Sequence, residues 1–238
     1  MTANQIAKNG YCVLKSVFDN EKIDQFRLNA MSGKHLMGQT RAASHSYHLA
    51  GFHRFPHFAQ CHADLLCNST INNALANYFD EQSFYAIGLS DITVNRSQQW
   101  HTDLLRDKYR EYLHEDSLWD THTKGFIKAL VYLQSGKSLR IIPGSHLQPT
   151  PLNDGELDVF ARSATYVQLD VAAGDVVMMD IWAVHRGSTD DEMSASSLEQ
   201  SPKILLSTVF GALNSPFSKS MELGNMHRMV AWDQKYLT

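Results

Sequence analysis

Gly174-Asp175-Val176-Val177-Met178-Met179-Asp180, running on through Ile181-Trp182-Ala183-Val184 to His185-Arg186-Gly187-Ser188, decides how the fold is read. A Gly-Asp turn opens an apolar run of strand length, and a histidine follows a few residues later. The same texture repeats outward from this stretch. Phe84 to Ser90, Asp91 to Asn95, Phe126 to Leu133, Leu139 to Ile142, Tyr166 to Val171 and Ile204 to Phe210 are short runs rich in Val, Ile, Leu, Phe and Tyr, punctuated by Gly, Pro, Ser and Asp. Seven or so short strands predict a mainly β protein with flanking helices, built as a sandwich or jelly-roll barrel.

The N-terminal part reads differently. Gly10 to Leu14 predicts a short strand. Phe18-Asp19-Asn20-Glu21 is a capping signal ahead of a helix to about Met31, with Ile23, Phe26 and Ala30 on one face. Asp64 to Tyr78 predicts a second helix burying Leu65, Leu66, Ile71, Leu75 and Tyr78. At 238 residues the expectation is one domain, 1–238, with a helical part over about 1–80 and a jelly-roll core over about 84–215. Leu104 to Lys124 and Gly187 to Pro202 read as polar insertions, either lids or solvated excursions.

Composition narrows the function. A formal net charge of −4 gives no reason to expect nucleic acid or an anionic membrane as a partner. No run of about 18 apolar residues suggests a membrane span. Met1 to Asn9 is polar, without the apolar core of a signal peptide. Three scattered cysteines, Cys12, Cys61 and Cys67, fit free thiols in a reducing cytoplasm.

The strongest chemical signal is Trp100-His101-Thr102-Asp103 at the end of a strand-like run. Residues i and i+2 of a strand share a side, so His101 and Asp103 can present an imidazole and a carboxylate to one metal ion. His185 is the candidate third ligand. Two histidines and one carboxylate on one face leave open positions, the arrangement of non-haem Fe(II) oxygenases. The bland alternative for His101 and Asp103 alone is a hydrogen-bonded pair at a strand end.

Four segments carry a resemblance in order along the chain. They are Asn9-Gly10-Tyr11-Cys12-Val13-Leu14 with Val17-Phe18-Asp19-Asn20-Glu21, then Trp100 to Asp103, then Leu139-Arg140-Ile141-Ile142-Pro143-Gly144-Ser145-His146, then Gly174 to Asp180 with His185 to Ser188. On these the chain resembles the phytanoyl-CoA dioxygenase family of 2-oxoglutarate-dependent oxygenases. The resemblance implies a double-stranded β-helix (a jelly-roll, cupin-like barrel), Fe(II) as metal, and 2-oxoglutarate and dioxygen as cosubstrates. It also implies His101, Asp103 and His185 as iron ligands and hydroxylation of a small organic substrate with release of succinate and carbon dioxide. Asp103 argues against the halogenating branch, where a small residue stands in its place.

The resemblance also implies an arginine about eleven residues past the distal histidine, for the far carboxylate of 2-oxoglutarate. Ser196 stands there. The next cation is Lys203, at the head of Ile204-Leu205-Leu206-Ser207, and the rival is Lys128, inside the apolar run from Phe126. Either lysine can pair with a carboxylate, though without a bidentate fork. Arg140 and Arg186 read as surface charges or loop anchors. His146 reads as a structural hydrogen-bonding partner, and Trp100 and Trp182 as core or pocket wall. His53, His57 and Cys61 have a helical spacing that could bind zinc, but Pro56 interrupts it, leaving a His-rich loop as the plainer reading. The alternative function is a cupin-like metalloenzyme that uses the same triad without 2-oxoglutarate. The substrate and the oligomeric state are not legible in the sequence.

Overall fold

In the computed structural model, which describes residues 2–41, 45–80, 82–113, 125–151, 153–193 and 201–237, a large and a small antiparallel sheet face one another. The large sheet has seven strands. These are β1 (Tyr11–Leu14), β2 (Gly38–Arg41), β3 (Ser46–Ala50), β4 (Phe84–Val94), β5 (Phe126–Tyr132), β8 (Val176–Asp180) and β10 (Ile204–Ala212), in the order β1-β8-β5-β10-β4-β3-β2. The small sheet is β7 (Val167–Gln168), β6 (Arg140–Ile141) and β9 (His185–Arg186), in that order. This is the two-sheet jelly-roll expected from the strand pattern.

Strand alternation sorts each face of the large sheet. Ile127, Ala129 and Val131 of β5 and Val176 and Met178 of β8 point outward and join a core with the helices. Those helices are α1 (Thr2–Asn9), α2 (Asn20–Ser32), α3 (Ala59–Leu66) and α4 (Ser69–Tyr78), which contribute Ile6, Phe26, Leu65 and Ile71. Leu130 and Tyr132 of β5, with Val177 and Met179 of β8, point inward and pack against Leu139 and Ile141 at the small sheet. Two more helices, α5 (Asp154–Ser163) and α6 (Pro216–Tyr236), lie outside the sheets.

Several expectations need correction. The helix predicted over Asp64 to Tyr78 is two helices, α3 and α4. Asn68 accepts hydrogen bonds from the Thr70 and Ile71 amides and starts a new helix there. The runs Phe84–Ser90 and Asp91–Asn95 form one strand, β4. Ser90 and Asp91 read as punctuation, yet they lie within the ladder, where Asp91 pairs in register with Ser207 and Ala50. The run Tyr166–Val171 is ladder-paired over β7 and again at Val171, which exchanges hydrogen bonds with Gly136. In the N-terminal third the expected strand is β1, while β2 and β3 were not foreseen; all three join the large sheet. Helices α1, α5 and α6 were not foreseen. In α6 apolar side chains lie on both sides, Met221, Met229 and Trp232 buried and Leu223, Met226 and Val230 exposed, so no stripe marks it in the sequence.

Of the insertion Leu104–Lys124, residues 107–112 form a 3-10 turn, tied to α6 by a Tyr112 hydroxyl–His227 hydrogen bond; positions 114–124 lie outside the described residues. In the 187–202 loop, Glu192 pairs with Arg140 and Asp190 with Arg41; positions 194–200 lie outside the described residues. No described helix is long and apolar enough to cross a membrane.

The turn before β8 depends on Gly174. Its φ is +87°, its carbonyl accepts from the Val17 and Phe18 amides, and an added Cβ would meet the Phe18 carbonyl oxygen at 2.2 Å. Gly174→Ala must therefore adopt a strained backbone and displace the lead-in to α2, at a cost of at least about 2 kcal/mol. Urea unfolding measures this, and a loss below about 0.5 kcal/mol, the scale of an ordinary surface change, would refute the reading.

Candidate metal centre

β8 ends at Asp180, and the chain turns through Ile181–Val184 to reach His185 on β9. Two features hold this turn. The Trp182 amide donates to Asp180 Oδ1 at 2.9 Å, and the Tyr78 hydroxyl donates to Asp180 Oδ2 at 3.1 Å. The Pro143-Gly144-Ser145-His146 turn, with Gly144 at φ +76°, puts Ser145 Oγ where it accepts from the Val184 amide at 2.8 Å. His146 donates through Nε2 to the Ala7 carbonyl at 3.2 Å, a structural role as expected.

His185 then pairs with His101. The His101 amide donates to the His185 carbonyl at 2.8 Å, the His185 amide donates to the His101 carbonyl at 2.9 Å, and the Asp103 amide donates to the Ile181 carbonyl at 2.9 Å. This pairing brings the three side chains together. One ligand atom from each of His101, Asp103 and His185 lies within 4.8 Å of the others, and among the described residues no other His/Cys/Asp/Glu group does so. The His53, His57 and Cys61 spacing forms no such cluster: His57 bonds the Asn29 carbonyl and Ser32, and Asn29 donates to the Cys61 sulfur.

The atoms are prepared for a cation. His101 Nδ1 lies 2.7 Å from the Gln99 carbonyl, and His185 Nδ1 lies 2.9 Å from the Ala183 carbonyl. A carbonyl only accepts, so each Nδ1 carries the proton, and in the neutral ring Nε2 holds a free lone pair. Burial keeps both imidazoles below their ordinary pKa, His101 the more strongly because His185 is beside it. His101 Nε2 and Asp103 Oδ2 are buried with no hydrogen-bond partner. Asp103 Oδ1 instead accepts from Lys128 Nζ at 2.9 Å. Burial works against the Asp103 charge, but Lys128 and the two histidines outweigh it and hold the carboxyl well below the usual range. Two imine nitrogens and one carboxylate oxygen converge here, and His101 Nε2 and Asp103 Oδ2 are buried without a partner; this donor set fits a divalent transition metal.

The triad opens into a cavity of about 480 Å³ whose lining includes Leu89, Asp91, Thr93, Arg96, Lys128 and Lys203. Lys203 Nζ donates to the hydroxyls of Ser138 and Ser188, and burial pulls its pKa down to about 8. Trp100 is on the wall, tilted against Tyr166 and under the Arg186 guanidinium. Trp182 packs in a separate apolar cluster with Leu104 and Met221. Asp91, Arg96 and Arg228 line the cavity without having been singled out in the sequence. Asp91 stood among residues read as a strand boundary, and Arg228 is on the unforeseen α6.

A family model described as phytanoyl-CoA dioxygenase (PhyH) matches residues 6–191. The chain belongs to the PhyH family. The matched span takes in His101, Asp103 and His185 and ends before Lys203. The fold is similar to that of HygX from Streptomyces hygroscopicus, solved with nickel, 2-oxoglutarate and hygromycin B, at 16% identity and TM-score 0.64 over 90% of this chain and 88% of that one. It is similar to the epimerase SnoN, solved with Fe3+, alpha ketoglutarate and nogalamycin RO, at 15% identity and TM-score 0.65 over 89% and 82% of the two chains. It is also similar to the alpha ketoglutarate dependent carbocyclase SnoK, at 16% identity and TM-score 0.66 over 89% and 83%. No curated protein matches the chain.

Asp180 gives this region a pH dependence. Burial raises its carboxyl to about 7, only partly offset by the Trp182 and Tyr78 hydrogen bonds. A carboxyl raised on folding leaves stability intact below the ordinary range near 4 and erodes it as pH climbs through about 7. Asp180→Asn keeps an acceptor for Trp182 and removes the ionisation. Relative to wild type it should gain stability between pH 5 and pH 8, on the order of 3 kcal/mol at most. Urea titrations at the two pH values decide; a variant that loses ground at pH 8 contradicts this account.

Proposed function

We propose that this protein is an Fe(II)- and 2-oxoglutarate-dependent dioxygenase that hydroxylates a small organic substrate. The observation that carries the reading is the triad itself: two imidazoles fixed in the Nδ1–H tautomer and a buried carboxylate converge, with His101 Nε2 and Asp103 Oδ2 left without a hydrogen-bond partner. In this reading His101, Asp103 and His185 hold the iron. When bound, iron with 2-oxoglutarate supplies the oxidation: one dioxygen converts the cosubstrate to succinate and carbon dioxide and leaves one oxygen atom in a substrate C–H bond. Structural neighbours solved with 2-oxoglutarate support the cosubstrate.

The chain's own residues do the holding. The backbone carbonyls of Gln99 and Ala183 orient the two imidazoles, and Lys128 holds Asp103 so that Oδ2 faces the site. Lys128 is thereby committed to the ligand carboxylate. Lys203 is the better candidate for the far carboxylate of 2-oxoglutarate: it lines the same cavity, and the side chains it contacts are neutral hydroxyls that can also donate to an anion. Three free cysteines agree with a cytoplasmic setting. Two neighbours are described as an epimerase and a carbocyclase, so the product itself separates the readings. Hydroxylation adds one oxygen atom, whereas epimerisation or ring closure adds none.

Anaerobic titration of Fe(II)-loaded protein with 2-oxoglutarate should produce a weak visible metal-to-ligand charge-transfer band, absent in His101→Ala. Iron binding without any band sinks the cosubstrate assignment and favours a metalloenzyme that uses the triad alone.

The two lysines separate in the same assay. Lys203→Ala should weaken 2-oxoglutarate by roughly a few hundred-fold, the loss of one partner of a buried charge pair, with iron affinity kept. Lys128→Met should weaken iron by about 10–100-fold, as for loss of a ligand-orienting partner. The reverse pattern would exchange their roles.

A further inference from the structure

The cavity over the triad holds a cation that neither the iron site nor the cosubstrate reading uses. Arg96 lies two residues past the end of β4 and lines the cavity with the triad. Its guanidinium is drawn below its ordinary pKa by burial, and the carboxylates it feels are Asp91 and Asp103. An arginine stays charged regardless. Among the described residues no hydrogen bond or ion pair engages its side chain, although five N–H donors are on offer.

Both nearby carboxylates are already committed. Asp91 takes a bidentate pair from Arg228, at 2.8 and 3.1 Å, with further bonds from His48 at 3.2 Å and the Gly51 amide at 3.3 Å. That set holds its carboxyl well below the usual range against the cost of burial. Asp103 is held by Lys128. Arg96 is also distinct from the Lys203 subsite. Asn95 and Lys203 exchange hydrogen bonds, with the Asn95 amide donating to the Lys203 carbonyl at 2.8 Å and the Lys203 amide to Asn95 Oδ1 at 2.8 Å. The neighbouring head groups nevertheless diverge. Lys203 feels Glu192 and Arg140, while Arg96 faces Asp91, Asp103 and Arg228.

Arg96 is half-buried; a guanidinium partly withdrawn from water without a partner carries a desolvation cost that an anion offsets by completing it. The planar fork matches one carboxylate through two parallel hydrogen bonds. A cavity of about 480 Å³, shared with a cosubstrate, leaves room for a small molecule in the lower part of the usual ligand-pocket range of about 300–1,000 Å³.

We propose that Arg96 determines substrate specificity, its guanidinium binding the carboxylate of a small carboxylic-acid substrate in the cavity that also opens onto His101, Asp103 and His185. The proposal rests on the dioxygenase reading above and adds the substrate class. Asp91, with Arg228 and His48, is the wall beside this subsite.

The test uses full-length protein loaded with Zn(II) and 2-oxoglutarate, titrated calorimetrically with L-amino acids, 2-hydroxy acids and simple alkyl and aryl acids, each against its primary amide. The expected result is that at least one acid binds and its amide binds roughly 30-fold or more weakly, the scale of a truncated buried charge pair. Arg96→Gln should bring the acid down to the level of the amide with 2-oxoglutarate affinity unchanged, and Arg96→Lys should restore part of the difference. Arg96→Lys also serves as the folded comparison if the glutamine variant does not fold. The proposal is overturned if no acid binds, if acid and amide bind alike, or if Arg96→Gln leaves the acid untouched. It is equally overturned if Arg96→Gln loses 2-oxoglutarate instead, because Arg96 would then be the cosubstrate's cation. Wild type that fails to bind 2-oxoglutarate but still discriminates acid from amide through Arg96 would sink the dioxygenase reading and leave the Arg96 subsite standing.

Discussion

The two backbone hydrogen bonds exchanged between His101 and His185 are the constraint on which the site depends. They join a segment that follows β4 to one that follows β8, 84 residues apart in the chain by subtraction of their numbers. Once this pairing closes, the imidazole rings lie with centroids 4.2 Å apart, and Asp103 is carried in by its own amide bond to Ile181. The surroundings hold the pairing from several sides. Ser145 holds the Val184 amide, Asp180 holds Trp182, and Ile141 of β6 pairs with His185. The site is built on paired backbone with side-chain anchors, which suits a ligand set that must keep its geometry through binding and release of small molecules.

Electrostatics then divides the cavity. Alternation along β4 and β5 turns Asp91 and Lys128 inward from strands whose other faces are apolar, and Lys203, the residue before β10, lines the same cavity. Each inward charge would be expensive alone, and most are paired: Asp91 with Arg228 and His48, Asp103 with Lys128. Among the described residues Lys203 hydrogen-bonds to hydroxyls and Arg96 makes no hydrogen bond or ion pair. Neither cation contacts a carboxylate of the chain among the described residues, which is the basis of the carboxylate specificity proposed above. A ligand that brings its own carboxylate recovers desolvation the protein has already suffered, which favours affinity and orientation together.

The jelly-roll and the capped helix after Asp19 were legible in the chain because they rest on local pattern, strand runs between turn residues and a capping signal; the His101–Asp103–His185 set was legible through the resemblance of its surrounding motifs, since the His-x-Asp spacing alone is common. The His146 turn was legible from local pattern as well. The break between α3 and α4 was missed because a buried stripe runs through it, and only the Asn68 cap, weak in sequence, marks it. The continuity of β4 across Ser90 and Asp91 was missed because polar residues inside a strand read as punctuation unless the face they turn to is known to be a polar cavity.

Sequence by itself determined which residue types the site has, since ligand chemistry is a property of the side chains and the double motif places them on strand ends. Tertiary structure alone decided what each charge does. Lys128 and Lys203 are equivalent as letters, each a lysine beside an apolar run, but strand register puts one against Asp103 and the other among hydroxyls. Arg96 and Arg228 are likewise indistinguishable until the fold gives Asp91 to Arg228 and, among the described residues, no carboxylate in contact to Arg96. The role of a charge is set by its distance to other charges and by the water it has lost, and both are fixed by contacts between residues far apart in the chain.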